Sequence, residues 1–143
     1  MALLFGLFYL DISPLSKIVN STQIDLISDT LKLFLNNIEG NKIIITPHYN
    51  LIIEKNCNGL MVYFLFMATI LATNISFKDK LIWVIIGYIT ITVVNILRIY
   101  LITKFVLIDK SNFYLAHNIF GNLLLFFTSI GLFFIFITYR KRV

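Results

Sequence analysis

Residues 81–108 read LIWVIIGYITITVVNILRIYLITKFVLI, an apolar stretch interrupted by Asn95, Arg98 and Lys104. A bilayer-spanning helix needs about 20 mostly apolar residues, and a helix satisfies its own backbone hydrogen bonds without water. The stretch therefore predicts a transmembrane helix over about 81–106. A charge inside such a helix costs a few kcal/mol, so we expect Arg98 to face a polar cavity and to have a role there.

Two further apolar segments predict helices over about 59–76 and 113–139. Of the 143 residues, 59% are apolar and only 13% are charged, whereas a soluble domain of this size carries roughly 25% charged residues. The sequence therefore predicts an all-α polytopic membrane protein with three long transmembrane helices. With two prolines, six glycines and no internal repeat, we expect one membrane domain over 1–143.

Residues 1–56 are predicted to form an extracytoplasmic or interfacial region, and 57–143 the transmembrane core. Apolar residues at helical spacing over Ile24–Ile38 predict an amphipathic helix that lies on the membrane or against partner helices. Two β-branched runs around a proline–asparagine turn then predict a short β-hairpin before Cys57. Met1–Leu10 is too short to span a bilayer and lacks the features of a signal peptide.

The basic residues indicate which side of the membrane each helix end faces. Lys78–Lys80 and Arg140–Arg142 flank the predicted helices on one side, which the positive-inside rule makes cytoplasmic. Cys57, Arg98 and His117 then lie at the outer ends of the three helices, at one depth. The net charge of +5 is not clustered among aromatic residues as in a nucleic-acid surface, and no nucleic-acid partner is expected.

Cys57 is the only cysteine, which excludes an internal disulfide and a two-thiol redox carrier. A lone thiol can be a small apolar filler. Its predicted place at a helix start, where the helix dipole and free N–H groups stabilise a thiolate, favours a nucleophile. Asn58 is expected to cap the helix or donate a hydrogen bond, and Gly59 to let a substrate backbone approach closely.

Arg98 and His117 supply a cation and an imidazole, which with a thiol form the minimum set for nucleophilic acyl chemistry. Asn95 lies one turn before Arg98 on the same face, which favours a polar pocket over lipid. A guanidinium suits an oxyanion or a substrate carboxylate. Gly121 lies one turn after His117 and allows tight packing there. One cysteine and one clustered histidine are too few ligands for zinc, so neither metal nor cofactor is expected.

Three short motifs follow one another, each at the outer end of a predicted helix: Cys-Asn-Gly at 57–59, Asn-x-x-Arg at 95–98 and His-x-x-Phe-Gly at 117–121. From roughly Lys42 to the C-terminus the chain thereby resembles the exosortase/archaeosortase family of membrane transpeptidases. The resemblance implies that Cys57, Arg98 and His117 process proteins that carry a C-terminal sorting signal. Many members have Ser where this chain has Asn58, and many have additional helices before the cysteine.

The expected function is therefore that of a membrane-embedded cysteine transpeptidase or protease, in the plasma (inner) membrane, with its active site on the extracytoplasmic side. Its expected partners are the lipid bilayer and exported proteins that end in a hydrophobic helix and a basic tail. Two alternatives remain open from the residues alone. One is a non-catalytic membrane interaction subunit, and the other is a lipid acyltransferase that uses the same Cys57.

Overall fold

The computed structural model describes residues 13–140, except for the side chains of Phe120 and Asn122. The predicted interfacial segment Met1–Leu10 lies outside the described residues. The first half contains α1 (Pro14–Lys32), β1 (Ile38–Glu39), β2 (Lys42–Thr46), β3 (Tyr49–Ile52) and a 3-10 turn (Lys55–Cys57). The second half contains α2 (Leu60–Leu71), α3 (Phe77–Ile108), a 3-10 turn (Lys110–Asn112), α4 (Phe113–Ala116), a π-helical turn (His117–Leu123) and α5 (Leu124–Arg140).

Two stretches of the described chain are long and apolar enough to cross a membrane, namely α3 and Lys110–Arg140. The long helix predicted over 59–76 is wrong in length, because α2 covers only Leu60–Leu71. α2 has 12 residues, which is about 18 Å of helix against the roughly 30 Å of a bilayer's hydrocarbon core. Gly59 has a left-handed backbone (φ 75°) that stops the helix from extending backwards. At its other end the chain turns into α3, whose N-cap is Ser76.

α2 and α5 both pack along α3 and run in the opposite direction to it. At one end, Lys80 Nζ donates to the main-chain oxygen of Leu71 (2.9 Å), and Tyr139 Oη donates to Asp79 (3.2 Å). The three helices bury a common apolar cluster formed by Phe66, Ile70, Trp83, Ile91, Leu125, Leu132 and Phe136. This packing brings the start of α2 and the π-helical turn to the same level of α3, near Asn95 and Arg98.

α1 lies against α3 and the sheet. Its apolar stripe buries Ile27 and Leu31 in one cluster with strand residues and Ile99 of α3. The predicted helix over Ile24–Ile38 is wrong at both ends, because α1 begins at Pro14 and ends at Lys32. Ser13 caps the N-terminus by accepting from the Ser16 amide, whereas Ile38 lies in β1. Ile38, which helical spacing had assigned to the helix, therefore pairs with β2 instead.

Where the sequence predicted a hairpin, the structure has a three-stranded antiparallel sheet in the order β1-β2-β3. Ile43 pairs with Ile38 of β1 and with Leu51 of β3. Apolar residues of β2 and β3 pack against Ile102 and Val106, in the C-terminal part of α3. The sheet thus covers the part of α3 beyond Arg98, and it leads the chain into the turn that carries Cys57.

Candidate active site

Cys57, Arg98 and His117 line one cavity of about 520 Å³, together with residues of β3 and the C-terminal part of α3. The three side chains come from three separate elements: the 3-10 turn before α2, the α3 helix and the π-helical turn before α5. The guanidinium of Arg98 is close enough to Cys57 to interact with it electrostatically. The structure therefore brings the three predicted residues to one place.

Cys57 is the last residue of the 3-10 turn, and its side chain is partly exposed. Its main-chain amide donates to the oxygen of Glu54 (2.8 Å), and its own oxygen accepts from the Asn95 side chain (2.7 Å). The sequence placed Cys57 at a helix start, but α2 begins three residues later, at Leu60. Arg98 lines the same cavity as Cys57 and is a positive group available to the thiol there.

Asn58 is 1% exposed and does not line the cavity of Cys57. Its oxygen caps α2 by accepting from the Leu60 amide (3.0 Å), and its amide donates to Asn20 Oδ1 of α1 (2.7 Å). Gly59 is held against Asn95, since a Cβ at position 59 would lie 3.2 Å from the Asn95 side chain. The two residues after the cysteine therefore anchor its turn to α1 and α3.

Arg98 is 4% exposed, which is unusual for a cation. Its Nη1 donates to Asn95 Oδ1 (3.2 Å), and Asn95 itself is fully buried. Its Nε is buried and has no hydrogen-bond partner within the described chain, nor does any carboxylate of residues 13–140 form a salt bridge with it. A buried guanidinium with donors to spare is suited to bind a negative charge that arrives with a substrate.

His117 opens the π-helical turn and is half-buried, with its ring centroid 5.5 Å from that of Phe113. π-helical turns are rare and occur frequently at functional sites. Within this turn Gly121 lies next to both Arg98 and His117. A Cβ at position 121 would lie 3.2 Å from Arg98 Nη2 and 3.7 Å from His117 Cγ, so the absence of a side chain lets the guanidinium and the imidazole approach one another.

Asn20 is the residue of this region that sequence reasoning missed. It is 4% exposed and ties α1 to the turn of Cys57 through its hydrogen bond to Asn58. Three turns of α1 carry buried polar residues, Ser16, Asn20 and Gln23, and Gln23 bonds both Thr92 and Tyr88 of α3. Their spacing of four and three residues is the signal of a polar helix face, which the apolar stripe from Ile24 onwards had obscured.

A second space adjoins the first. Between α2 and α5 lies a groove of about 530 Å³, which is apolar along its length and ends at Arg98 and Asn56. These two residues also line the cavity that contains Cys57. Within residues 13–140, His, Cys, Asp and Glu form no group of three that could hold a metal ion.

Comparison with known proteins gives one result that covers most of the chain. The family model described as transmembrane exosortase (Exosortase_EpsH) matches residues 2–135, a range that includes every residue of the cavity and the whole of α2 and α3. No curated protein and no solved structure matches the chain. Because the family match extends over far more than half of the sequence, the chain belongs to the transmembrane exosortase family.

Proposed function

We propose that this protein is a cysteine transpeptidase or protease that cleaves the C-terminal sorting signals of exported proteins within the membrane and transfers the product to an acceptor. The observation that carries the proposal is the shared cavity of Cys57, Arg98 and His117, in which a buried guanidinium has no carboxylate partner among the described residues. Membership of a membrane transpeptidase family supports it.

The first half of the reaction forms a thioester. Cys57 gives its thiol proton to His117, and the resulting thiolate attacks the scissile carbonyl, so that a C–S bond forms and the electron pair of the carbonyl moves onto its oxygen. Arg98 stabilises that oxyanion, and one well-placed donor is worth about 3–4 kcal/mol of barrier. His117 then gives a proton to the amine as the C–N bond breaks, an acid–base role that typically contributes 10²–10⁴-fold.

The second half releases the acyl group. An acceptor amine, or water, gives its proton to His117 and attacks the thioester carbonyl, and the C–S bond breaks to return the thiolate. Arg98 stabilises the second oxyanion as it did the first. Asn95 positions both partners, since it bonds the main chain of Cys57 and the side chain of Arg98.

The proposed location is the plasma (inner) membrane, crossed more than once, with the active site on the extracytoplasmic side. Lys78–Lys80 lies in the first turn of α3, and Arg140 is the last residue of α5, so these basic residues fall at the ends of the helices opposite to Cys57. The positive-inside rule makes that end cytoplasmic. The substrate is then an exported protein whose C-terminal apolar helix and basic tail hold it in the same membrane.

The deciding experiment replaces Cys57 by Ala in the native host. In cells that carry Cys57→Ala, proteins that end in an apolar helix and a basic cluster are expected to keep that segment, and mass spectrometry of the membrane proteome reads out the retained C-terminal peptides. Cys57→Ser serves as the near-isosteric control and is expected to be equally inactive. Unchanged processing of all such proteins would refute the transpeptidase and leave the non-catalytic interaction subunit.

The acyl group on Cys57 distinguishes the proposed enzyme from a lipid acyltransferase. The wild-type protein is quenched with acid during turnover to trap the thioester, because His117→Ala would lose the proton donor for thioester formation as well as the base for its resolution. Intact-mass analysis of the purified protein, with hydroxylamine treatment to release thioesters, should then show a peptide on Cys57. A fatty acyl group in its place would overturn the peptide chemistry.

A further inference from the structure

The groove between α2 and α5 has no role in the chemistry of the cavity, yet it is built from two matching helix faces. Each helix contributes residues spaced four apart, which lie in a row along one side: Met61, Leu65 and Thr69 of α2, and Leu125, Ser129 and Phe133 of α5. No residue along these walls is charged. The rows run roughly 12 Å along each helix, and several of the side chains are exposed.

The walls of the groove allow a helix to come close. Thr69 and Ser129 each donate their hydroxyl back to their own helix, to the oxygens of Leu65 and Phe126, at 2.9 Å in both cases. Their polar groups are thereby satisfied, and what they present is a small surface. Small residues at membrane helix contacts let backbones approach closely, which supplies the packing that holds helices together in lipid.

One end of the groove adjoins the reaction cavity. Arg98 and Asn56 line both spaces, and Gly59 and Gly121 line the groove at this end. A chain that lies in the groove as a helix and unwinds at Arg98 therefore enters the cavity beside Cys57. The other end of the groove, at Thr69 and Phe133, points towards the side of the membrane that carries Lys78–Lys80.

We propose that this groove is the docking site for the apolar C-terminal helix of the substrate, with the segment before that helix entering the cavity at Arg98. The inference rests on the proposed function and adds where the substrate is held. It assigns to Arg98 a second task, as the boundary at which the bound helix ends and the extended scissile segment begins.

Charge sets the direction of the bound helix. The outer end of the groove carries Arg98 and Lys55, and the walls below carry no charge. The basic tail of the substrate is repelled from the end with Arg98 and Lys55 and stays hydrated at the opposite end of the groove. The substrate helix therefore lies with its N-terminal end near Cys57. Because the walls extend for less than half of the bilayer's roughly 30 Å hydrocarbon core, the inner part of the substrate helix stays in contact with lipid and can leave sideways after cleavage.

Site-specific photocrosslinking tests the docking site directly. A benzophenone amino acid at Leu65 or at Phe126 lies on the groove, and one at Ile89 of α3 is exposed elsewhere on the helices. In a Cys57→Ala background the uncleaved precursor is expected to crosslink from the two groove positions, through its apolar helix, at least tenfold more than from Ile89. Equal crosslinking from all three positions, or crosslinks to lipid alone, would overturn the proposal.

A groove-filling variant keeps the test independent of the proposed chemistry. Ser129→Trp is expected to reduce precursor processing at least tenfold, while alkylation of Cys57 by a small thiol reagent changes less than twofold. Ile135→Trp, on an exposed position of the same helix, is the matched control and is expected to process at the wild-type rate. If Cys57→Ala blocks processing but Ser129→Trp does not, the groove is refuted and the transpeptidase stands; if Cys57→Ala blocks nothing, the transpeptidase itself fails.

Discussion

The side-chain amide of Asn95 donates to the main-chain oxygen of Cys57 at 2.7 Å. The oxygen of the same side chain accepts from Arg98 Nη1 at 3.2 Å. One fully buried residue of α3 therefore fixes both the turn that carries the thiol and the guanidinium beside it. An aspartate or an aliphatic residue cannot replace it, because both a donor and an acceptor are used.

Asn95→Ala is expected to disturb the position of the Cys57 turn relative to the Arg98 guanidinium. It leaves the Cys57 oxygen and the Arg98 guanidinium without their partner, and a buried unsatisfied group costs about 1–3 kcal/mol. Misplacement of the reacting groups by an ångström can cost about 100-fold in rate, so we expect precursor processing to fall by about 10- to 100-fold. Processing per unit of membrane-inserted protein is the measurement. Val93→Ala, on an exposed face of α3, is the control, and equal rates in the two variants would contradict the coupling.

Gly121→Ala is expected to impair the chemistry more than the fold. The added Cβ meets Arg98 Nη2 at 3.2 Å, so the guanidinium must shift by a few tenths of an ångström and we expect processing to fall about tenfold. Gly131→Ala is the matched control, since a Cβ there meets nothing within 4 Å. Alanine is about 1 kcal/mol better than glycine in a helix, so Gly131→Ala should unfold at the same or a higher temperature in detergent with unchanged processing. If Gly121→Ala processed its precursor at the wild-type rate, the added Cβ would not be displacing the Arg98 guanidinium as we expect.

Gly59→Ala and Gly40→Ala separate backbone strain from packing. Both glycines have positive φ, a conformation that costs other residues roughly 1–2 kcal/mol. Only at position 59 would the new Cβ also press on Asn95, at 3.2 Å. Both variants should therefore unfold at a lower temperature, whereas only Gly59→Ala should process its precursor more slowly than its stability loss explains. The idea fails if the two variants behave alike in both assays.

Asn20 and Asn58 are expected to act as a coupled pair. Asn20→Ala leaves the buried amide of Asn58 without its acceptor, and Asn58→Ala removes that amide together with the cap of α2. A double-mutant cycle on thermal unfolding should give a coupling energy of roughly 0.5–3 kcal/mol, as for other contacting polar residues. Ser21→Ala, exposed on the same helix, should show no coupling to Asn58→Ala. Strictly additive effects of Asn20→Ala and Asn58→Ala would mean that α1 does not hold the cysteine turn.

Arg98→Lys tests whether the fork of donors matters as well as the charge. An ammonium group is a compact point charge, and we expect it to be unable both to hold Asn95 and to reach an oxyanion in the cavity. Processing should fall by about 10²–10³-fold, the usual cost of losing one oxyanion donor, while photocrosslinking of the precursor from Leu65 persists. Wild-type processing by Arg98→Lys would show that charge alone suffices.

The membrane character of the chain and its longest apolar helices were predictable from the sequence, because hydropathy is a local property that a window of about 20 residues captures. The family, too, was identified from three short motifs, and the family match over residues 2–135 confirms it. The ends of the helices were predicted less reliably from the sequence. The long helix expected over 59–76 is a 12-residue helix that ends at Leu71, because the chain turns before Ser76 caps the next helix, and hydropathy does not report that turn.

The arrangement of the site depended on tertiary structure. Whether Cys57, Arg98 and His117 face one another is decided by how each helix is rotated about its axis, and rotation follows from packing between distant segments. The contact between Gly121 and Arg98, the bond between Asn20 and Asn58, and the groove between α2 and α5 all arise in this way. Composition and spacing predict that these residues lie in or near a membrane at similar depth, but only the packed helices bring a thiol, a guanidinium and an imidazole into one cavity.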